Sequence, residues 1–366
     1  MFFYDIPNLL AVLIILFAIY RMSLIPTGLF FFLGLFAFTP FILNDVLFSA
    51  RYMPDQFQYF SNVQKLRHLD FNLVINFKLW ISTWMLAIIP LPYVETIKSL
   101  GFFNRLIASS IIIWLYAYKK LRGWPLLFVL FYPSYLLYSS LSLREALVFM
   151  FMIMSVIFFL ENRRLSALFV AAPLFFIKFQ NFFLIIVFFV IHLCFTKGSF
   201  FFKYRYLFII CIITALSPYI MLIIELLNFY RLALYVEDGG LSDSYVAINT
   251  ISDFIIIAFQ SGPYFLLKPL PWEAENIFQM VQSFENIFIV CFLIWLFLKI
   301  SKIDNGIATK WFVYIVTAMS IYGLVVYNFG TAARYKVPFM LIVVIGMTYE
   351  LYLKHGHLIL NKKTKS

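Results

Sequence analysis

Long apolar runs follow one another along this chain, and more than half of its lysines and arginines fall in the short gaps between them or at its end. Residues 126–138, 147–160 and 182–191 contain no charge at all. A segment of that kind in lipid must satisfy its backbone amides internally, which a helix does and an isolated strand does not. Of the 366 residues, 64% are apolar, 21% aromatic and 12% charged, more oil than one water-soluble core absorbs. The expected fold is all-α, a polytopic integral membrane protein with about 10–12 transmembrane helices.

Hydropathy places spans at 6–20, 24–48, 107–118, 125–139, 146–160, 167–177, 182–195, 206–229, 287–300, 311–327 and 337–352. Tyr20, Trp124, Tyr138, Tyr204, Trp311, Tyr327 and Tyr352 near their ends suit interfacial belts. The stretch 77–94 holds Lys78, Pro90 and Pro92 and is read as interfacial or re-entrant. The stretch 254–267, broken at Gly262 and Pro263, is read as a helix lying on the membrane or packed beneath a cap. The first six residues lack a basic region and no small-residue cleavage site follows, so the first helix is expected to be retained. Cys194, Cys211 and Cys291 sit in apolar runs without a pairing pattern. With no linker, low-complexity tract or repeat, residues 1–366 are expected to form a single domain.

The net charge of +11 would suit nucleic acid, but its placement argues otherwise. Arg21, then Lys119, Lys120 and Arg122, Arg163 and Arg164, Lys197, Lys203 and Arg205, Lys299, Lys302 and Lys310, and a tail of Lys354, Lys362, Lys363 and Lys365 lie in gaps or at the end. That is the positive-inside pattern, and a contiguous basic face for nucleic acid is missing. A cytoplasmic C-terminus follows. Counting back puts 328–336, 178–181 and 141–145 outside, together with outer loops of about 49–76 and 231–286. The long second loop collects Glu237, Asp238, Asp243, Asp253, Glu273, Glu275 and Glu285.

Three outer constellations carry chemistry: Arg51-Tyr52-Met53-Pro54-Asp55 with Tyr59, Lys65, Arg67 and His68; Leu143-Arg144-Glu145-Ala146; and the segment Asn328 to Pro338, with Arg334, Tyr335 and Lys336. Each has a plainer reading. Arg144 and Glu145 suit an interfacial pair at a helix end, Arg334 and Lys336 suit snorkelling anchors, Asp55 suits a helix cap, Lys178 a solvated turn residue and His68 a loop histidine. Yet Arg51, Arg144, Lys178, Arg334 and Lys336 stand on the side that should be poor in basic residues. A lipid diphosphate would explain them, since it offers about two to three negative charges and suits bidentate arginine. Asp55, Glu145, Glu273 and Glu275 are candidate bases. Cations plus a carboxylate at a membrane surface suit sugar transfer from a lipid phosphate: the base takes a hydroxyl proton while arginines stabilise the departing phosphate. The four histidines are scattered without metal-ligand spacing, so Arg and Lys would stand in for a metal, and no cofactor is expected.

Arg51-Tyr52 with Asp55 and Tyr59, the run from Pro133-Ser134 through Ser139-Ser140 to Arg144-Glu145, and the stretch from Phe329 to Tyr335 resemble motifs of bacterial Wzy-type O-antigen polymerases and EpsG-like exopolysaccharide polymerases, within the wider GT-C-type membrane glycosyltransferases. Lys268-Pro269-Leu270-Pro271-Trp272-Glu273 adds a fourth. The chain departs from many relatives in having Met53-Pro54 ahead of Asp55. The resemblance implies a multi-pass protein of the bacterial inner membrane that joins undecaprenyl-diphosphate-linked oligosaccharide units on the periplasmic side. It also implies Asp55, Glu145, Arg144 and Arg334 as catalytic residues. Arg51, Tyr59, Lys178, Glu273, Tyr335 and Lys336 would then bind substrate, and a chain-length regulator and a flippase would be partners besides membrane lipid. Two rivals stand beside this: a GT-C transferase adding one sugar from a polyprenyl phosphate, and a lipid-linked oligosaccharide flippase. A transporter would carry charges inside its spans, often in duplicated halves, but the sequence places only Asp45, Glu225 and Lys78 there and shows no duplication.

Overall fold

A computed structural model of the chain describes residues 2–44, 46–47, 49–50, 53–72, 77–196, 200–237, 245–326 and 328–362. Asp45, Arg51, Tyr52, Lys197, Asp238, Asp243, Tyr327, Lys363 and Lys365 lie outside the described residues. Among those described, regular structure is helical and no strand is present. The chain divides into two compact units, Met1–Ile185 and Ile186–Ser366.

The first unit holds α1 (Ile6–Arg21), α2 (Thr27–Phe36), α3 (Thr39–Leu43), α4 (Asp55–Arg67), α5 (Phe77–Ala87), α6 (Ser99–Ala117), α7 (Trp124–Phe131), α8 (Pro133–Tyr138), α9 (Glu145–Leu160) and α10 (Arg164–Ile177). The division falls within α11 (Phe179–Phe195). The second unit continues with α12 (Phe200–Lys203), α13 (Arg205–Leu216), α14 (Ile220–Glu237), α15 (Ile251–Leu267), α16 (Ile277–Ser301), α17 (Asn305–Gly323) and α18 (Phe329–Lys362).

Among the described residues, five stretches are long and apolar enough to cross a membrane: Phe3–Arg21, Ser99–Ala117, Ser217–Val236, Ile277–Ser301 and Phe329–Gly356. Large apolar side chains such as Ile14, Phe17, Phe31, Phe169 and Phe288 stand exposed on the outsides of their helices, as lipid-facing residues do. Three expected spans are broken by proline. The span 24–48 divides where Thr39-Pro40 starts α3, 125–139 divides at Tyr132 before Pro133, and 206–229 divides at a 3-10 turn around Pro218. Proline lacks the N–H that a continuing helix needs and pushes its predecessor toward extended backbone, which Tyr132 adopts at ψ 106°. In the stretch read as interfacial or re-entrant, α5 has 11 residues, about 16 Å of helix and about half the hydrocarbon thickness.

Other helices run further than hydropathy indicates. α6 begins at Ser99 because Asn104 and Arg105 are buried inside it. Most of the expected outer loop 231–286 is helical, taken up by α14, α15 and the start of α16. α15 packs against α17 through glycines. A Cβ on Gly323 would lie 2.2 Å from the Ser261 carbonyl oxygen, and one on Gly262 would lie 2.8 Å from Ser320 Oγ. Small residues that admit such close approach mark helix contacts in membranes.

α17 and α18 are joined along a stripe of α18 at four-residue spacing. A Cβ on Gly346 would lie 2.3 Å from the Trp311 ring. One turn on, Glu350 accepts from Trp311 Nε1 at 2.8 Å and pairs with Lys310, whose Nζ also lies 3.4 Å from His192 Nε2. A further turn on, Lys354 Nζ reaches Asp304 Oδ2 at 2.5 Å, and His355 Nε2 lies 3.1 Å from the same oxygen. Asp304 caps α17 by accepting from the Ile307 N–H at 3.1 Å. Burial alone would raise the Asp304 carboxyl, but hydrogen bonds from Lys354, His355 and Ile307 outweigh it and hold the carboxyl below the usual carboxylate range.

Two stability predictions result. Gly323→Ala should lower the thermal midpoint of the detergent-purified protein, at a cost of about 1–3 kcal/mol. Gly34→Ala, whose Cβ would meet Leu13 Cδ2 at 3.9 Å, should be neutral or slightly stabilising. Because Asp304 has a depressed pKa when folded, its contribution should be whole above the unfolded Asp value of about 4 and fade as pH falls below it. The gap in thermal midpoint between wild type and Asp304→Asn should therefore hold steady from pH 7 to about pH 5 and begin to narrow between about pH 4 and pH 3, since Asn still caps the helix.

Candidate functional site

The first unit gathers its predicted residues around the connection between α8 and α9. Residues 139–144 leave helical geometry inside a buried setting, so each polar group needs a partner from the protein. Gln56 on α4 accepts from the Ser142 N–H at 3.0 Å and from Asn44 Nδ2 at 2.9 Å. Asn104 on α6 donates to the Leu141 and Leu143 carbonyls, each at 2.6 Å. Ser142 Oγ donates to the Ile97 carbonyl, and Ser140 Oγ meets Thr39 Oγ1 at 2.7 Å. Gly101 lets α6 approach, since a Cβ there would lie 2.4 Å from the Ser140 carbonyl oxygen.

This scaffold sets the direction of α9. Arg144 is its N-cap residue and Glu145 its first, so a carboxylate sits where the helix dipole favours it. Arg144 Nη1 donates to the Ile177 carbonyl at the end of α10, 2.6 Å away. The next residue, Lys178, is buried, and its N–H returns to the Leu174 carbonyl at 2.8 Å. Asp55 and Tyr59 stand one turn apart on α4, with Pro54 as the N-cap residue and Asp55 exposed. Tyr59 is buried within electrostatic reach of Arg144, Glu145 and Asp55 and hydrogen-bonds Ser82. Burial drives the Tyr59 phenol above its usual range and Arg144 only partly opposes it, so it stays a neutral donor. Asp55, Tyr59, Arg144 and Glu145 are thus brought into one neighbourhood, and Lys178 follows in the chain the Ile177 carbonyl that Arg144 binds. Arg51 lies outside the described residues. Arg67 is engaged elsewhere: its guanidinium donates to the Ala87, Ile89 and Leu91 carbonyls and closes the end of α5.

The second unit holds a separate group. Lys336, 3% exposed, donates to Asn286 Oδ1 and lies 3.4 Å from the Leu266 carbonyl. Asn286 Nδ2 in turn donates to the Lys268 carbonyl at 2.9 Å, so α15, α16 and α18 meet at this amide. Glu273 pairs with Lys268 and accepts from the Leu270 N–H at 2.9 Å, closing the short turn Pro271–Glu273. Arg334 is half-buried and lies over the Tyr335 ring at 5.1 Å, with Nη2 3.3 Å from its hydroxyl.

Several polar residues central to these neighbourhoods carry no outer-charge signal. Gln56 and Asn104 are neutral and isolated in sequence. Arg105, 1% exposed, donates Nη1 to Ser139 Oγ at 2.6 Å, while its Nε and Nη2 have no hydrogen-bond partner among the described residues. Arg105, Lys310, Lys336 and Glu350 also correct the view that span interiors hold only Asp45, Glu225 and Lys78, because all four are buried within long helices. Comparison of the chain with protein-family models, characterised proteins and solved structures finds no match.

The scaffold gives its own prediction. Gln56→Ala leaves the Ser142 amide without its acceptor in a buried setting, which should cost about 1–3 kcal/mol. Thermal unfolding in detergent, followed by tryptophan fluorescence, would measure it.

Proposed function

We propose that the chain is a membrane glycosyltransferase that polymerises lipid-linked oligosaccharide units, moving a growing glycan from undecaprenyl diphosphate to a new lipid-linked unit. The observation that carries this reading is the meeting of Arg144, Glu145, Tyr59 and Asp55 around one rigid connection in the first unit, with Lys178 next in the chain to the Ile177 carbonyl that Arg144 binds. In this reading the protein has about 10–12 transmembrane helices, its C-terminus in the cytoplasm and its chemistry on the periplasmic face of a bacterial inner membrane.

Glu145 is the better base. It is buried at a helix N-terminus, whereas Asp55 is exposed. It takes the proton of the acceptor sugar hydroxyl as that oxygen attacks the anomeric carbon and the bond to the diphosphate breaks. Arg144 and Lys178 stabilise the charge growing on the diphosphate, and the neutral Tyr59 phenol donates a hydrogen bond. Arg334, with Tyr335, is a second cationic group of the kind that binds phosphate. Lys336 and Glu273 act through position, holding the helix ends around it.

In cells whose own copy is deleted, the wild-type chain should restore a ladder of repeats on electrophoresis of surface glycan. Arg144→Ala and Glu145→Gln should each lower polymerisation by about 10²–10⁴-fold and leave single capped units. A normal ladder from both variants would overturn the assignment. A fixed increment of one sugar would instead identify a simple transferase.

A transport reading draws on Arg105 and on the Lys310–Glu350 pair, since buried charges within spans often mark translocation pathways. It predicts lipid-linked units trapped on the cytoplasmic leaflet when the chain is lost. The polymerase reading predicts single units delivered to the surface.

A further inference from the structure

In the first unit, a recess of about 580 Å³ is lined by Tyr20, Arg21 and residues 23–27, and across from them by Tyr116, Ala117 and Arg122. We propose that this recess binds the phosphate of an anionic glycerophospholipid headgroup. It lies at the ends of two membrane-length helices, Phe3–Arg21 and Ser99–Ala117, on the side that the charge pattern assigns to the cytoplasm. That is the depth at which headgroups sit.

Three observations converge on an anion. The first is charge. Lys120, two residues from Arg122, is neutralised by Glu161 at 2.6 Å, but neither Arg21 nor Arg122 makes an ion pair among the described residues. Arg122 lies over the Tyr116 ring at 5.2 Å, which fixes the plane of the guanidinium and leaves its N–H edge available.

The second is backbone. α2 starts in the wall of the recess, and its N-cap residue, Pro26, supplies no side-chain hydrogen bond. The first amide accepted within the helix is that of Phe30, by the Pro26 carbonyl at 3.0 Å, so the Thr27, Gly28 and Leu29 amides precede it. The third is the surround. Tyr20 and Thr27 hydroxyls, 3.2 Å apart, line the polar floor, while Met22, Leu24 and Tyr118 stand exposed nearby as an apolar rim. A snorkelling arginine needs none of this. Two arginines, an uncapped helix start and hydroxyls around one concavity form a phosphate site of the kind basic inter-helix pockets provide. The apolar rim favours a phosphate that carries acyl chains over a soluble phosphate ester.

The full chain, purified in neutral detergent, would be titrated with dioctanoyl-phosphatidylglycerol, dioctanoyl-phosphatidylcholine and inorganic phosphate, with binding read by native mass spectrometry and thermal shift. The phosphatidylglycerol should bind at least about tenfold tighter than the phosphatidylcholine. Arg21→Ala with Arg122→Ala should weaken it about 30-fold, and the Lys pair at the same positions should recover only part of the loss. Arg163→Ala, an exposed arginine outside the recess, should leave affinity unchanged. Equal affinity for the two lipids overturns the proposal without recourse to any variant. So does unchanged affinity in the double variant, or an equal loss in Arg163→Ala. Inorganic phosphate displacing the lipid at matching concentration would overturn the lipid source and assign the site to a soluble phosphate ligand.

Discussion

Between α8 and α9 the backbone leaves helical geometry while buried, and the first unit is arranged around the polar groups of that connection. Buried in this way, each backbone group left unmet costs about 1–3 kcal/mol. Gln56 and Asn104 meet backbone groups of the connection, while Thr39 and the Ile97 carbonyl take the Ser140 and Ser142 hydroxyls. Their convergence is what fixes α4 and α6 against the connection. The same bonds hold Arg144 and Glu145 at the mouth of α9, so the groups with reactive potential rest on a frame of neutral amides and hydroxyls. A charged frame would have cost more, because a charge stripped of water needs both a counter-charge and hydrogen bonds.

The second unit handles charge differently. Along α18 the residues at 346, 350 and 354 step from a glycine that admits a tryptophan, through a buried carboxylate, to a lysine at the surface. The Lys310–Glu350 pair is worth little as net stabilisation, since desolvation of both ions roughly cancels their attraction. Its effect is on register. Sliding α17 by one residue would strand both charges in an apolar interior at several kcal/mol each, whereas purely apolar helices would slide at small cost.

Much of the architecture was legible because the helix signal in this chain is strong. α1, α9, α10 and α11 lie close to their hydropathy spans, with α9 starting one residue earlier and α10 and α11 three residues earlier. What hydropathy averages conceal is local covalent chemistry. Pro40, Pro133 and Pro218 are apolar by composition and pass unnoticed in a window, yet each ends or restarts a helix. The opposite error shortens α6 and α16, where Arg105, Asn104, Gln282 and Glu285 lower the average although the helix continues through them. Arg144 and Lys178 stand out in the sequence as basic residues in gaps expected to be poor in them. Gln56 broke no rule, and its role became visible only once the Ser142 amide stood beside it.

That contrast separates two kinds of cation. Arg67, Lys268 and Lys336 lie in or near the motifs singled out in the sequence, yet their nitrogens are directed to carbonyls, an amide oxygen or a neighbouring carboxylate, closing helix ends that would otherwise lie open. A cation so engaged cannot move to a developing charge without releasing the element that it caps. Arg144 spends one nitrogen on the Ile177 carbonyl, which orients the guanidinium, and a guanidinium has donors enough to be held and to bind at once. Lysine at the same position would have to choose. Donor count and planarity let Arg144 be held and still bind, which is the physical reason to centre the proposed reaction on the first unit's Arg144 and Glu145.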